Sequence, residues 1–293
     1  MKKRVLSMFM ALALCLTLLP ASAWAEETDA PKGGETTAEA VAKVTMTASG
    51  GATWSKEYTD LLKAFNDACL GRWTENDTTV DADTVSVELL KRGETYTLET
   101  TEAFPISFEY GHSCIIDLNG CTLKRTVREM QQGILLVEEG DVTVKNGTLE
   151  FIVSADNYPK AIEMPDRNSP ALTLEDMTIN VTGTEDESSG GNYEGIAIYA
   201  GTGNLSIKGG TYGKVQIHSA TVKLYGGRYD SVEYSSGYAK LLAPGYIFTK
   251  QDDGTYIDPN NMGTGNDEEI ANTRNIRVIE CDHKDATFEK GTC

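Results

Sequence analysis

The sequence predicts an all-β chain built as a solenoid, with one short helix covering its N-terminal end. Three observations predict it. First, one phrase recurs. "CIIDLNGCTLKR" (114–125), "VTVKNGTLEFIV" (142–153), "LTLEDMTINV" (172–181), "LSIKGGTYGKV" (205–215) and "VKLYGGRYDSV" (222–232) each alternate apolar and polar residues around a two-residue turn. Second, a shift of 17 residues lays the last two phrases on each other: Leu205 on Val222, Ile207 on Leu224, Tyr212 on Tyr229, Val215 on Val232 and Ile217 on Tyr234. Every inward position then meets an apolar or aromatic partner. Third, the turns hold Asn-Gly or Gly-Gly, with Asp176-Met177 as a departure, and Asn and Gly take left-handed φ and leave room for corners stacked about 4.8 Å apart. Asn-Gly alone would suit hairpins or a sandwich equally well. Recurrence at 17 to 33 residues favours stacked equivalent units.

The elements follow in chain order. Residues 1–25 read as an export signal: Lys2, Lys3 and Arg4 form a positive head, "VLSMFMALALCLTLL" (5–19) is apolar, and Ala23-Trp24-Ala25 is a cleavage site. The mature chain is then expected to begin at Glu26, outside the cell or on its surface. Residues 26–40 have no apolar period and read as a flexible leader. "VAKVTMTASGGATW" (41–54) alternates around Ser-Gly-Gly and predicts a hairpin. Tyr58, Leu61, Leu62, Phe65, Ala68 and Cys69 recur at helical spacing, which predicts a helix over 56–70 capped by Ser55 and ended by Gly71. The helix should cover the open edge of the first rung. Strands then continue to 258, interrupted by turn-rich insertions at 154–171 and 183–195, which in a solenoid tend to gather on the binding face. Residues 259–280 read as a linker, and 281–293 as a truncated Cys/His motif.

Charge excludes some partners. The chain has 26 Lys and Arg against 44 Asp and Glu, a net −18; without the three basic residues of the signal the balance is 23 against 44, or −21. Such a field repels nucleic acid and anionic membranes. It also disfavours bare polyuronates unless a cation such as Ca²⁺ bridges the two surfaces. No apolar run after the signal is long enough to span a membrane.

The phrases "IIDLNGCTL", "VTVKNGTLEF" and "LSIKGGTYGKV" resemble right-handed parallel β-helix proteins of the pectin-lyase-like class. More narrowly, "VSVELLKRGETYTL…IIDLNG" after a strand–helix leader is similar to repetitive surface proteins of Gram-positive bacteria, and "LLAPGYIFTKQDDGTYI" (241–257) is similar to the passage that closes such coils. The resemblance covers about residues 41–258. It implies a right-handed parallel β-helix, and because enzymes and non-enzymes share that coil it implies no activity.

Candidate chemistry is sparse. Glycan-cleaving sites need converging carboxylates, and at equal phase the sequence offers only Gln216 above Glu233. Glu185-Asp186-Glu187 is an acidic loop that could hold Ca²⁺ loosely; His112 and His218 read as turn and surface residues. Tyr193, Tyr199 and Tyr225 are candidate ligand contacts, since sugars pack on exposed tyrosine faces. Tyr212 and Tyr229 read as an internal stack. Cys114 and Cys121 share inward parity on either side of a corner, too far apart to bridge, and read as buried thiols. Cys281, His283 and Cys293 admit a disulfide, unpaired thiols, or three ligands of a Zn²⁺ site whose fourth lies further on. The expectation is a non-enzymatic exported module that presents its solenoid face to extracellular glycans or surface proteins, as part of a larger surface protein. The alternative is a polysaccharide lyase or glycoside hydrolase with loop-borne carboxylates.

Overall fold

Alternation gives each short strand one apolar side, and stacking strands in register hides those sides in a shared core. In the computed structural model, which describes residues 38–75, 77–128, 132–154, 159–183, 185–186, 191–192, 195–263 and 265–281, the strands form three parallel ladders. The first stacks Val85, Cys114, Val142, Leu172, Leu205 and Val222. The second stacks Tyr96, Leu123, Leu149, Ile179, Tyr212 and Tyr229. The third stacks Ile106, Leu135, Ile162, Ile198, Val215 and Val232. The chain visits the three in turn and returns one layer on, so the fold is a parallel β-solenoid. All these side chains are buried except Tyr96, which is half-buried. Every element belongs to the unit Glu39–Cys293.

The 17-residue register predicted for the last two rungs is the one observed, Leu205 on Val222 through Ile217 on Tyr234. The rings of Tyr212 and Tyr229 stack inside, with centroids 5.4 Å apart and planes 17° from parallel. Between the first and second ladders the backbone turns through left-handed φ at Asn119 (51°), Asn146 (59°), Asp176 (50°) and Gly209 (80°). Asn and Asp tolerate that conformation because their short side chains bond locally. Asn119 donates its side-chain N–H to the Leu89 carbonyl at 2.9 Å, and Asn146 donates to Asp117 at 3.1 Å. Asp176-Met177, which departs from the template in composition, is therefore a regular corner.

The sequence missed the third ladder within its insertions. Lys160–Met164 is a strand inside 154–171, and Ile196–Ala200 follows 183–195 directly. Both are only five residues long, and Pro159 and Pro165 bracket the first, so turn composition masks its buried Ala161, Ile162 and Met164.

Both ends are closed by antiparallel strands. Ala42–Thr47 pairs with Thr53–Tyr58 on one side and with the first coil strand, Thr84–Leu89, on the other. Helix α1 spans Leu61–Leu70, so 56–58 is strand rather than helix. Pairing with Ala42–Thr47 claims those residues. The cap is not Ser55 but Asp60, whose carboxylate accepts from the Lys63 N–H at 3.1 Å, and Gly71 ends the helix at φ 60°. Its Leu61, Ala64, Phe65 and Ala68 are buried against the coil end. His112 anchors it: the buried imidazole donates Nε2–H to the Ala68 carbonyl at 3.0 Å, and burial holds its pKa below the ordinary value.

Within 259–280, read from composition as a linker, the described residues form regular elements. Helix α2 (Asp267–Asn272) precedes the strand Arg274–Glu280, which pairs antiparallel with Gly227–Tyr234 and Tyr246–Lys250. That strand closes the second ladder as Ala42–Thr47 closes the first. Cys69, Cys114 and Cys121 are free buried thiols. Among the described residues no helix is long and apolar enough to cross a membrane. The stretch read as an export signal and nearly all of that read as a leader lie outside the described residues.

Candidate functional site

The coil changes width. From Ile162 to Ile198 the third ladder takes 36 residues; from Ile198 to Val215 and from Val215 to Val232 it takes 17. In the broad rung the chain leaves the second ladder at Gly183 and rejoins the third at Ile196. In the narrow rungs one unbroken strand, Thr211–Ile217 and then Gly227–Tyr234, crosses from second to third ladder. The step leaves a cleft of about 650 Å³. Gly183 and Gly195, the roots of the insertion, form one border, Lys214, Asp230 and Glu233 lie on the narrow strands, and Arg274 comes from the closing strand.

Glu233, a sequence candidate, is thus in the cleft. Lys214 Nζ lies 2.8 Å from its carboxylate, and Gln216 Nε2 donates to the other oxygen at 3.4 Å. The predicted stacking of Gln216 on Glu233 is present. Tyr199 stands one rung earlier on the same outward row, in register with Gln216. Its ring face is occupied: Lys160 Nζ sits 3.9 Å from the centroid. Its hydroxyl donates to Asp166 Oδ2 at 2.7 Å, and burial together with that carboxylate pushes its pKa up to about 12.

Asp166 also meets His218, with Nδ1 2.8 Å from Oδ1. His218 is therefore not the unpartnered surface histidine that the sequence suggests. The bonds from His218 and Tyr199 hold the Asp166 carboxyl below the usual range. Asp166 lies 52 residues from His218, and no local pattern joins them.

Tyr225 lies elsewhere, at the corner between first and second ladders. It is 39% exposed and meets Tyr246 edge to face, centroids 6.0 Å apart. The structure therefore brings Tyr199 and Glu233 onto one face and leaves Tyr225 on another. Tyr193 lies outside the described residues, as do Glu187, His283 and Cys293. Cys281 is buried at the end of the closing strand and is disulfide-bonded, and sulfur in that bond offers no thiolate to a metal. Among the described residues no three His, Cys, Asp or Glu side chains gather as a metal-ion set.

Sequence reasoning missed Lys214, Asp230 and Arg274 as cleft residues. The alternation that turns Gln216 outward would have found Lys214, but Arg274 lay in the stretch read as linker. Compared with known proteins, the chain matches no family model, no curated protein and no solved structure.

Proposed function

We propose that this chain is an exported surface module that binds extracellular glycans or surface proteins along the side of its coil, with the shoulder cleft as its site. The observation that carries the reading is the cleft itself: a hollow where the third ladder narrows, bordered by Gly183 and Gly195 and lined by charges of both signs. Hydrogen-bonding groups of both signs over glycine-lined walls suit polyhydroxyl chains and peptide backbones. The leader-like 1–25 and the acidic balance support a place outside the cell. The rung phrases support the right-handed, pectin-lyase-like kinship of Gram-positive surface coils.

Screening the mature protein from Glu26 against arrayed extracellular polysaccharides, with and without Ca²⁺, tests this. Glu233→Ala and Lys214→Ala should each weaken any ligand by about tenfold. Undiminished binding by both variants would move the site away from the cleft. A second reading, cleavage, draws on Asp230 and Glu233 sharing the cleft with Lys214 and Arg274, the residue types that lyases and hydrolases use. New reducing or unsaturated ends in the bound polysaccharide would decide for it.

A further inference from the structure

Positive charge concentrates at one corner of this acidic chain. Arg228, on Gly227–Tyr234, lies directly opposite Arg277, on Arg274–Glu280, in antiparallel register. Both are exposed. Directly opposed like charges destabilise a strand pair. A partner acid would remove the cost, and the chain carries 44 acidic residues against 26 basic. Yet among the described residues neither guanidinium forms an ion pair.

The two arginines line a hollow of about 400 Å³. Its floor is the glycine corner, Gly209, Gly210, Gly226 and Gly227, and Tyr225 and Tyr246 also line it. Without Cβ atoms on the floor, a ligand can approach the backbone closely. Glu280 lines the same hollow in register with Tyr246, and pairs with neither arginine.

We infer that this hollow binds an anionic sugar residue, one carrying a carboxylate, sulfate or phosphate, with its oxyanion between Arg228 and Arg277 and its apolar face on Tyr225. The guanidinium fork matches planar and tetrahedral oxyanions with paired hydrogen bonds. An anion there converts the repulsion between the arginines into attraction for a shared ligand. A tyrosine face supplies the apolar-plus-hydroxyl surface that pyranose rings pack on. The overall negative field does not forbid this, because at about 0.15 M salt it is screened beyond roughly 8 Å. No bridging cation is required.

The inference rests on the proposed binding role but uses a different site, since the two hollows share no lining residue. The test is calorimetric titration of the mature protein, in the presence of a chelator, with three probes: oligogalacturonate, a chondroitin sulfate oligosaccharide and an uncharged dextran oligomer. At least one anionic probe should bind and dextran should not; which anionic probe binds separates carboxylate from sulfate recognition. Arg228→Gln, Arg277→Gln and Tyr225→Ala should each weaken binding by about tenfold or more. Both arginine variants should melt at or above the parent temperature, because a repulsion has been removed. Binding of neither anionic probe overturns the inference, and so does equal binding of dextran. Arginine variants that melt lower while keeping full affinity overturn it too, since the pair would then be structural. Loss of binding in Glu233→Ala with none in the arginine variants would support the shoulder cleft and overturn the corner site.

Discussion

The broad rungs of 141–200 and the narrow rungs of 204–234 use one inward ladder and two kinds of corner. At the first corner the broad rungs turn on Asn146 and Asp176, the narrow ones on Gly209 and Gly226. The packing explains the exchange. A Cβ on Gly209 would lie 2.7 Å from an Asp176 carboxylate oxygen, so a side chain at the narrow corner would crowd the one stacked on it. At the second corner the strands of the broad rungs end, at Val153 and Gly183, whereas those of the narrow rungs run straight through. The core is indifferent to what hangs from its corners, and the corners decide the width. The cleft exists because two widths meet.

The largest expected effect would break the shared ladder. Leu224 is buried between Ile207 and Leu242, whereas Lys223 points outward and donates to the Lys240 and Leu242 carbonyls at 2.9 and 3.3 Å. Leu224→Asp buries an unpaired carboxylate and should cost more than about 4 kcal/mol in urea unfolding. Lys223→Asp should cost about 1 kcal/mol. Equal losses would mean the inward and outward sets are misassigned.

A middle-sized effect contrasts the corners directly. Gly210→Ala meets both a φ of 93° and the Met177 oxygen, and should cost about 3 kcal/mol. Asn146→Gly keeps the left-handed turn and loses the forked side-chain contact with both Asp117 oxygens, for about 1 kcal/mol. Thermal melting of the two variants, if they fell together, would erase the distinction between corner types.

The smallest effect is a pH dependence at the first corner, where Asp117 meets Asn146 and Lys145 of the broad rungs. Burial alone would raise the Asp117 carboxyl; the Asn119 amide, the Asn146 side chain and the Lys145 ammonium outweigh it and hold the carboxyl below its usual value. The folded pKa is therefore depressed. Its contribution is complete above the unfolded value of about 3.9 and is lost as pH falls through the folded one. Stability measured by urea at pH 7 and near pH 3 should differ less in Asp117→Asn than in the parent. The glycine corners of the narrow rungs hold no such group, so the same comparison for Gly226→Ala should match the parent.

A parallel coil, the register of its last two rungs and its left-handed corners were legible in the residues alone. Alternation, left-handed turn residues and a repeat are local or periodic signals, and the ladder Leu205 to Ile217 on Val222 to Tyr234 could be written down from them. The sequence also determined that Cys114 and Cys121 stay buried and free. Hydrophobic period did not reveal Lys160–Met164 or Arg274–Glu280, because a five-residue strand between prolines and a strand after a polar stretch carry little pattern. Arg125 shows the limit well. It shares inward parity with Leu123 and Val127, yet only the folded chain supplies the Ala103, Gly133 and Glu102 carbonyls that accept from its buried guanidinium. The same holds for both hollows. Arg274 reaches the shoulder cleft from the closing strand, and Arg277 of the same strand faces Arg228. Side-chain chemistry is written residue by residue, but which residues share a hollow is decided by loop closures between distant segments, and those leave no period in the sequence.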